Sequence, residues 1–118
     1  MNKELDQLAA DNIRALAVAM VEKANSGHPG GPMGGADYMH ILYSEFFNYD
    51  PSDMKWPFRD RFFMDAGHLS TLMYAQYYLL GNFEKNDVAN FRQWGSVTPG
   101  HPEVDVARGI ENTSGPLG

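Results

Sequence analysis

Four histidines stand in a chain of 118 residues that has no cysteine, and three of them share one setting. His28 lies in Ser-Gly-His-Pro-Gly, His68 in Ala-Gly-His-Leu-Ser and His101 in Pro-Gly-His-Pro-Glu. Each follows a glycine, and two precede a proline. Glycine lets the backbone take unusual angles and approach a ligand closely. A following proline holds the histidine extended and removes the next N–H. The pattern is that of stiff loops, each presenting one imidazole. Near neutral pH an imidazole can transfer protons and hydrogen-bond hydroxyls or phosphates. Stiffness serves that chemistry, because misplacement by about 1 Å is costly. A lone Gly-His-Pro-Gly is also what a tight turn with a solvated side chain looks like. Three Gly-His loops in one short chain favour a ligand instead. His40, between Met39 and Ile41 in a predicted helix, reads as structural.

Other chemistries fit poorly. Without cysteine there is no thiolate nucleophile, thiolate metal site or disulfide. The three loop histidines are 40 and 33 residues apart, which matches no zinc signature. The run "GGPMGG" lacks the Lys-Ser/Thr of a phosphate-binding P-loop, and it follows a helix rather than the strand a dinucleotide fingerprint needs.

The elements that must carry these loops are mostly helical. Leu5, Leu8, Ala9, Ile13, Leu16, Ala17, Met20 and Val21 recur at three- and four-residue steps, which predicts a helix over 3–24. Asn2 is placed to cap it, Glu4 and Asp6 fall in its first turn, and Asn25, Ser26 and Gly27 end it. Residues 28–33 read as a Gly/Pro loop. Residues 34–47 read as a second helix, apolar nearly all round and therefore buried. Residues 48–60, with Pro51 and Pro57, read as a surface loop. "RFFMDA", residues 61–66, is the best strand candidate. Residues 67–80 read as a buried helix stopped by Gly81. Residues 84–93 read as a short helix with Val88 and Phe91 inward, and irregular structure follows from Gly95. His68 would then sit where a strand's end meets a helix's start. Open α/β sheets bind ligands there, and helix N-termini favour anions, so a phosphate contact is expected. One strand cannot make a sheet, which suggests that part of an α/β domain is missing.

Composition bounds the rest. A hydrophobic content of 43% can supply a packed core, and the net charge of −6 with no basic block argues against a nucleic-acid backbone binder. The polar start "MNKELDQLAADN" is no signal peptide, and no run approaches the roughly 18 apolar residues of a membrane span. Cytoplasm is the expected location. The closing "ENTSGPLG" is a turn-rich run that reads as a chain cut inside a motif.

Four segments, in order, closely resemble the transketolase family. They are "KANSGHPGGPMGGADYMHILY", "RDRFFMDAGHLSTLMYAQYYLLG", "FRQWGSVTPGHPE" and "GIENTSGPLG", and the likeness runs from about Leu8 to the last residue. The resemblance implies an enzyme that uses thiamine diphosphate and a divalent metal, Mg2+ or Ca2+. It would move a two-carbon ketol unit from a ketose phosphate to an aldose phosphate. It implies an α/β fold with a parallel sheet flanked by helices, of which residues 1–118 are the incomplete N-terminal portion of the diphosphate-binding domain. This portion is expected to be mostly helical with one short strand. By the same resemblance His28 and His101 contact the sugar and count as catalytic, with His101 on the donor's terminal hydroxyl. His68 contacts the cofactor's diphosphate, and Gly115 and Leu117 contact the cofactor through their backbone. No metal ligand falls in this chain, because the family's Gly-Asp-Gly motif lies further on, as does the domain bearing the activating glutamate. The isolated segment is therefore expected to be inactive. Its expected partners are sugar phosphates and the remainder of a transketolase chain, which would form a homodimer.

Two positions depart from the family's pattern. Leu69 stands where Gly or Ala usually follows the Gly-His, and Gly31 stands where alanine is usual. The leucine narrows the room expected beside the diphosphate. Two other readings stay open: a helical interaction module with vestigial histidines, and the related dihydroxyacetone synthase. Deoxyxylulose phosphate synthase lacks a counterpart of "TPGHPE".

Overall fold

The computed structural model describes residues 2–117. Gly118, where the sequence reads as a motif cut short, lies outside the described residues. Four α-helices carry the fold: α1 (Lys3–Ala24), α2 (Gly30–Ile41), α3 (Ser70–Leu79) and α4 (Lys85–Ala89). A π-helical turn, Leu42–Phe46, continues α2. Short 3-10 turns, Gly67–Leu69 and Val106–Arg108, precede α3 and lie within the irregular segment after α4.

Helix α1 forms where the apolar spacing predicts. The Asn2 side chain accepts the Leu5 N–H at 3.2 Å, satisfying a donor that the helix itself leaves free. At the other end Asn25 turns into the left-handed region at φ +50°. Ala10, Ile13, Ala17 and Met20 face the core. Leu5 and Leu8, placed on the apolar stripe by the sequence, are more than half exposed. Their side of α1 is left uncovered among the described residues, while Asp6 in the same turns reaches His40 of α2.

Helix α2 starts at Gly30, four residues earlier than predicted. The reason lies in the first turn, whose N–H groups have no partner inside the helix. Pro32 gives up nothing there, and its fixed φ suits the helix. The Gly/Pro run is thus part helix, and the loop shrinks to Asn25–Pro29. Gly35 sits where α3 crosses, since an added Cβ would lie 2.8 Å from Leu72 Cδ2. The second helix is not buried all round, because Tyr38 and Phe46 stand largely exposed.

Helix α3 is the centre of the molecule. Eight of its ten residues, Ser70 to Tyr77, are buried, as expected of a helix apolar on every face. It packs against α1, α2 and α4. Gly81 ends it at φ +90°. Around it Ile13, Met20, Met39, Tyr43, Phe83, Val88, Phe91 and Ile110 complete one core. Tyr43 and Tyr77 share a hydrogen bond of 2.6 Å inside an aromatic cluster with Phe47, Tyr49 and Phe62.

The expected strand at 61–66 does not form. Among the described residues there is no strand, only an isolated bridge between Asp105 and Ile110. Met64 is buried, and its backbone finds a side chain instead of a neighbouring strand. Its N–H donates to Asn112 Oδ1 at 3.1 Å, and its carbonyl accepts from Asn112 Nδ2 at 3.2 Å. One amide side chain does the work of one rung of a ladder. Beside it the guanidinium of Arg59 grips Glu111 through Nε at 2.7 Å and Nη2 at 3.1 Å. That pair fastens the 48–60 loop to the final segment.

Candidate functional site

The first two Gly-His loops meet. The rings of His28 and His68 lie 4.9 Å apart, centroid to centroid, tilted by 57°. His28 stands just before the first turn of α2, and His68 lies in the 3-10 turn that leads into α3. Two helix starts therefore converge on the pair. The first turn of α2 leaves N–H groups without helical partners, a setting that favours an anion. In the turn before α3 the Gly67, Leu69 and Ser70 N–H groups already donate to the Gly115, Ala66 and Gly67 carbonyls.

Gly67 shows how close the backbone packs there. A Cβ at this position would overlap the Ser114 carbonyl oxygen and come within 2.9 Å of the Gly115 oxygen. The Gly67 N–H donates to that Gly115 oxygen at 3.0 Å. Ser114 and Gly115 thus cross directly over the turn that holds His68. Nearby, Ser114 Oγ and Thr71 Oγ1 are buried with no hydrogen-bond partner among the described residues. Buried hydroxyls without partners are uncommon, and donors of this type suit a diphosphate. Leu117 is fully exposed.

Leu69 and Gly31, the two departures in sequence, turn out to be one feature. A Cβ on Gly31 would overlap Leu69 Cδ2. The leucine side chain fills the space that an alanine at 31 would claim. Leu69 is thereby directed at the first turn of α2.

His101 occupies a different place. It lines an open cleft of about 900 Å³ together with Ser26, Arg92, Trp94, Pro99 and Glu103. His28 and His68 do not line this cleft, although Ser26 is only two residues from His28. The "TPGHPE" loop is tied down from below. Ser70 Oγ donates to the Gly100 carbonyl at 2.7 Å, and Tyr74 OH donates to the Pro99 carbonyl at 2.7 Å. Thr98 Oγ1 donates to the Asp87 carbonyl at 2.7 Å. Burial pushes the Tyr74 phenol above its ordinary range, and Glu103 and Asp105 add to this. It therefore stays a neutral donor to Pro99. His40 behaves as a structural residue, its Nε2 lying 2.8 Å from Asp6 Oδ1 and joining α2 to α1.

Sequence reasoning missed Ser70, Tyr74, Arg92 and Asn112. A signal existed for the first two. They are four apart on one helix and so share a face. Nothing local marks Arg92 or Asn112, whose partners lie 66 and 48 residues away. Among the described residues no group of three His, Cys, Asp or Glu is placed to hold a metal ion.

The frame is a helical one whose helix starts bring two histidines together. Residues 5–118 match the family described as "Transketolase, thiamine diphosphate binding domain". The transketolase of Halalkalibacterium halodurans is 50% identical over the whole of this chain, which spans 18% of that protein. The transketolase of Leishmania mexicana superposes with a TM-score of 0.91 at 46% identity, covering 96% of this chain and 17% of that one. A Pichia stipitis transketolase, solved in complex with sedoheptulose 7-phosphate, superposes at 0.84 with 44% identity over 96% of this chain and 17% of its own. The chain belongs to the transketolase family, and it folds as the corresponding helical segment of those enzymes does.

Proposed function

We propose that these 118 residues are the N-terminal part of the diphosphate-binding domain of a transketolase. The whole enzyme moves a two-carbon ketol unit from a ketose phosphate to an aldose phosphate. The observation that carries this reading is the meeting of His28 and His68 at two helix starts, beneath the glycine-cradled crossing of Gly67 and Gly115. The Pichia relative's complex with a ketose phosphate supports the same substrate class.

In this reading thiamine diphosphate, when bound, supplies the carbanion-stabilising chemistry, as cofactors of this kind do. The site's residues fit it. His68 and the partnerless hydroxyls of Thr71 and Ser114 would hold its diphosphate end, and the backbone at Gly115 and Leu117 would contact the cofactor. His28 and His101 act on the sugar, by hydrogen bonding and by holding a proton at its hydroxyls. The His101 loop is braced from α3 through Ser70 and Tyr74, which holds its backbone before substrate arrives. The metal ion, Mg2+ or Ca2+, takes ligands from outside these residues. So does the catalytic constellation as a whole, and the segment alone has no turnover. The parent works as a cytoplasmic homodimer.

The test is a hybrid in which residues 1–118 replace the matching segment of the Halalkalibacterium enzyme. The hybrid is expected to transfer ketol units, and His28→Ala and His101→Ala are each expected to lower kcat/KM for the ketose donor by about tenfold or more. Unchanged donor kinetics in both variants would remove the roles assigned to them. Turnover by the 118-residue chain alone would contradict the division of labour.

A further inference from the structure

Arg92 stands between the two His-Pro loops and touches both. Its Nη1 donates to Ser26 Oγ at 2.9 Å, two residues before His28. Its guanidinium packs against Gly100, next to His101. An added Cβ at Gly100 would lie 2.6 Å from Arg92 Nε and 2.9 Å from Cζ. Only glycine allows this approach. The backbone of Arg92 is committed as well, its N–H donating to the Thr98 carbonyl at 3.1 Å.

The residue's conformation is costly. Arg92 sits at φ +61°, in the left-handed region that a non-glycine residue rarely takes. Its Nε is buried with no hydrogen-bond partner among the described residues. Strain of this kind persists where the surroundings over-determine it, and it gathers at functional sites. The neighbouring ring adds to the hold. Arg92 Cζ lies 5.5 Å from the centre of the Phe91 ring, and Phe91 Cε1 lies 3.2 Å from where a Cβ on Gly27 would be. The pair Phe91–Arg92 therefore wedges against Gly27 with its ring and against Gly100 with its charge.

We propose that Arg92 is a positioning residue: a strut that sets the His28 loop and the His101 loop at a fixed separation, so that both imidazoles address one sugar. The sugar-addressing role rests on the transketolase reading. The strut itself does not.

Two variants test it. Arg92→Gly suits φ +61° and removes the side chain, and Ser26→Ala removes only the far end of the hydrogen bond. Amide hydrogen exchange on the 118-residue chain reads the loops directly. Residues 26–28 and 100–101 are expected to exchange about tenfold faster in either variant, with α1 and α3 within about twofold of the parent chain. The double variant is expected to exchange no faster than Arg92→Gly, because both changes cut one connection. Acceleration spread evenly over all helices would make Arg92 a general structural residue, and unchanged loops would abolish the strut. Either result overturns the proposal. In the hybrid enzyme Arg92→Gly is expected to raise the donor KM about tenfold and to leave thiamine diphosphate affinity within about twofold. A parallel loss of cofactor affinity, or no change in KM, would count against it. A hybrid inactive before any substitution would fail the transketolase reading, and the exchange data would still decide the strut.

Discussion

At the scale of single residues, the fit of Gly31 to Leu69 makes a sharp test. In a helix's first turn, alanine in place of glycine is worth up to about 1 kcal/mol. Here the new methyl would meet Leu69 Cδ2, which must turn away. Forcing a side chain off its rotamer costs about 0.5–1.5 kcal/mol. Gly31→Ala alone is thus expected to be neutral or destabilising. In a Leu69→Ala background the same change is expected to stabilise by about 0.5–1 kcal/mol, giving a coupling near 1 kcal/mol in urea denaturation. Additive effects would mean that the two positions are independent. The buried phenols make a second test. Burial raises Tyr43 above its ordinary value of 10.0, and its proximity to Tyr77 raises it further. Burial likewise raises Tyr77, partly offset by its hydrogen bond to Tyr43. A raised folded-state value means the folded protein keeps its protons while the unfolded chain loses them. That stability is complete below pH 10 and is lost as pH rises above it. The expected fall is about 1.4 kcal/mol per pH unit for each such phenol. Stability measured from pH 8 to pH 11 should show this fall. Tyr43→Phe should make it shallower while costing about 1–3 kcal/mol at neutral pH for the partner left behind.

At the scale of elements, the helices were legible and the strand was not. The spacing of Ile13, Ala17 and Met20 repeats at the helical period, so α1 can be read locally. The apolar run around Tyr74 and Tyr77 likewise fits only a buried helix of that length. "RFFMDA" has the composition of a strand, but a strand is defined by its neighbour, and Met64 meets the Asn112 side chain instead. Asn112→Ala would strand two buried backbone groups. It is expected to destabilise by about 1–3 kcal/mol in chemical denaturation. A change below a few tenths would mean that water or backbone takes over the role. The start of α2 was misplaced because glycine and proline normally argue against helix. In a first turn that argument weakens, since the N–H groups there have no helical partner to lose.

At the scale of the whole molecule, the chain leaves large apolar side chains uncovered. Leu5, Leu8, Tyr38, Phe46, Phe58 and Phe63 are each more than half exposed. The chain spans about 18% of the Halalkalibacterium relative, and such surface favours association. Sedimentation is expected to show the 118-residue chain self-associating as concentration rises, and Leu8→Gln is expected to weaken this. A strictly monomeric chain at high concentration would contradict it. The amino-acid sequence by itself determined the helical periods, the caps at Asn2 and Gly81, and the three glycine-flanked histidines. These depend on residues within a turn or two of each other, where side-chain type and backbone geometry are directly coupled. Tertiary structure alone decided which loops meet. It placed His28 against His68, set His101 in an open cleft with Ser26 and Arg92 and put Leu69 into the space beside Gly31. It also ran Arg92 from Ser26 to Gly100. Those contacts span tens of residues. They follow from how α3 is buried among its neighbours, which no local pattern encodes.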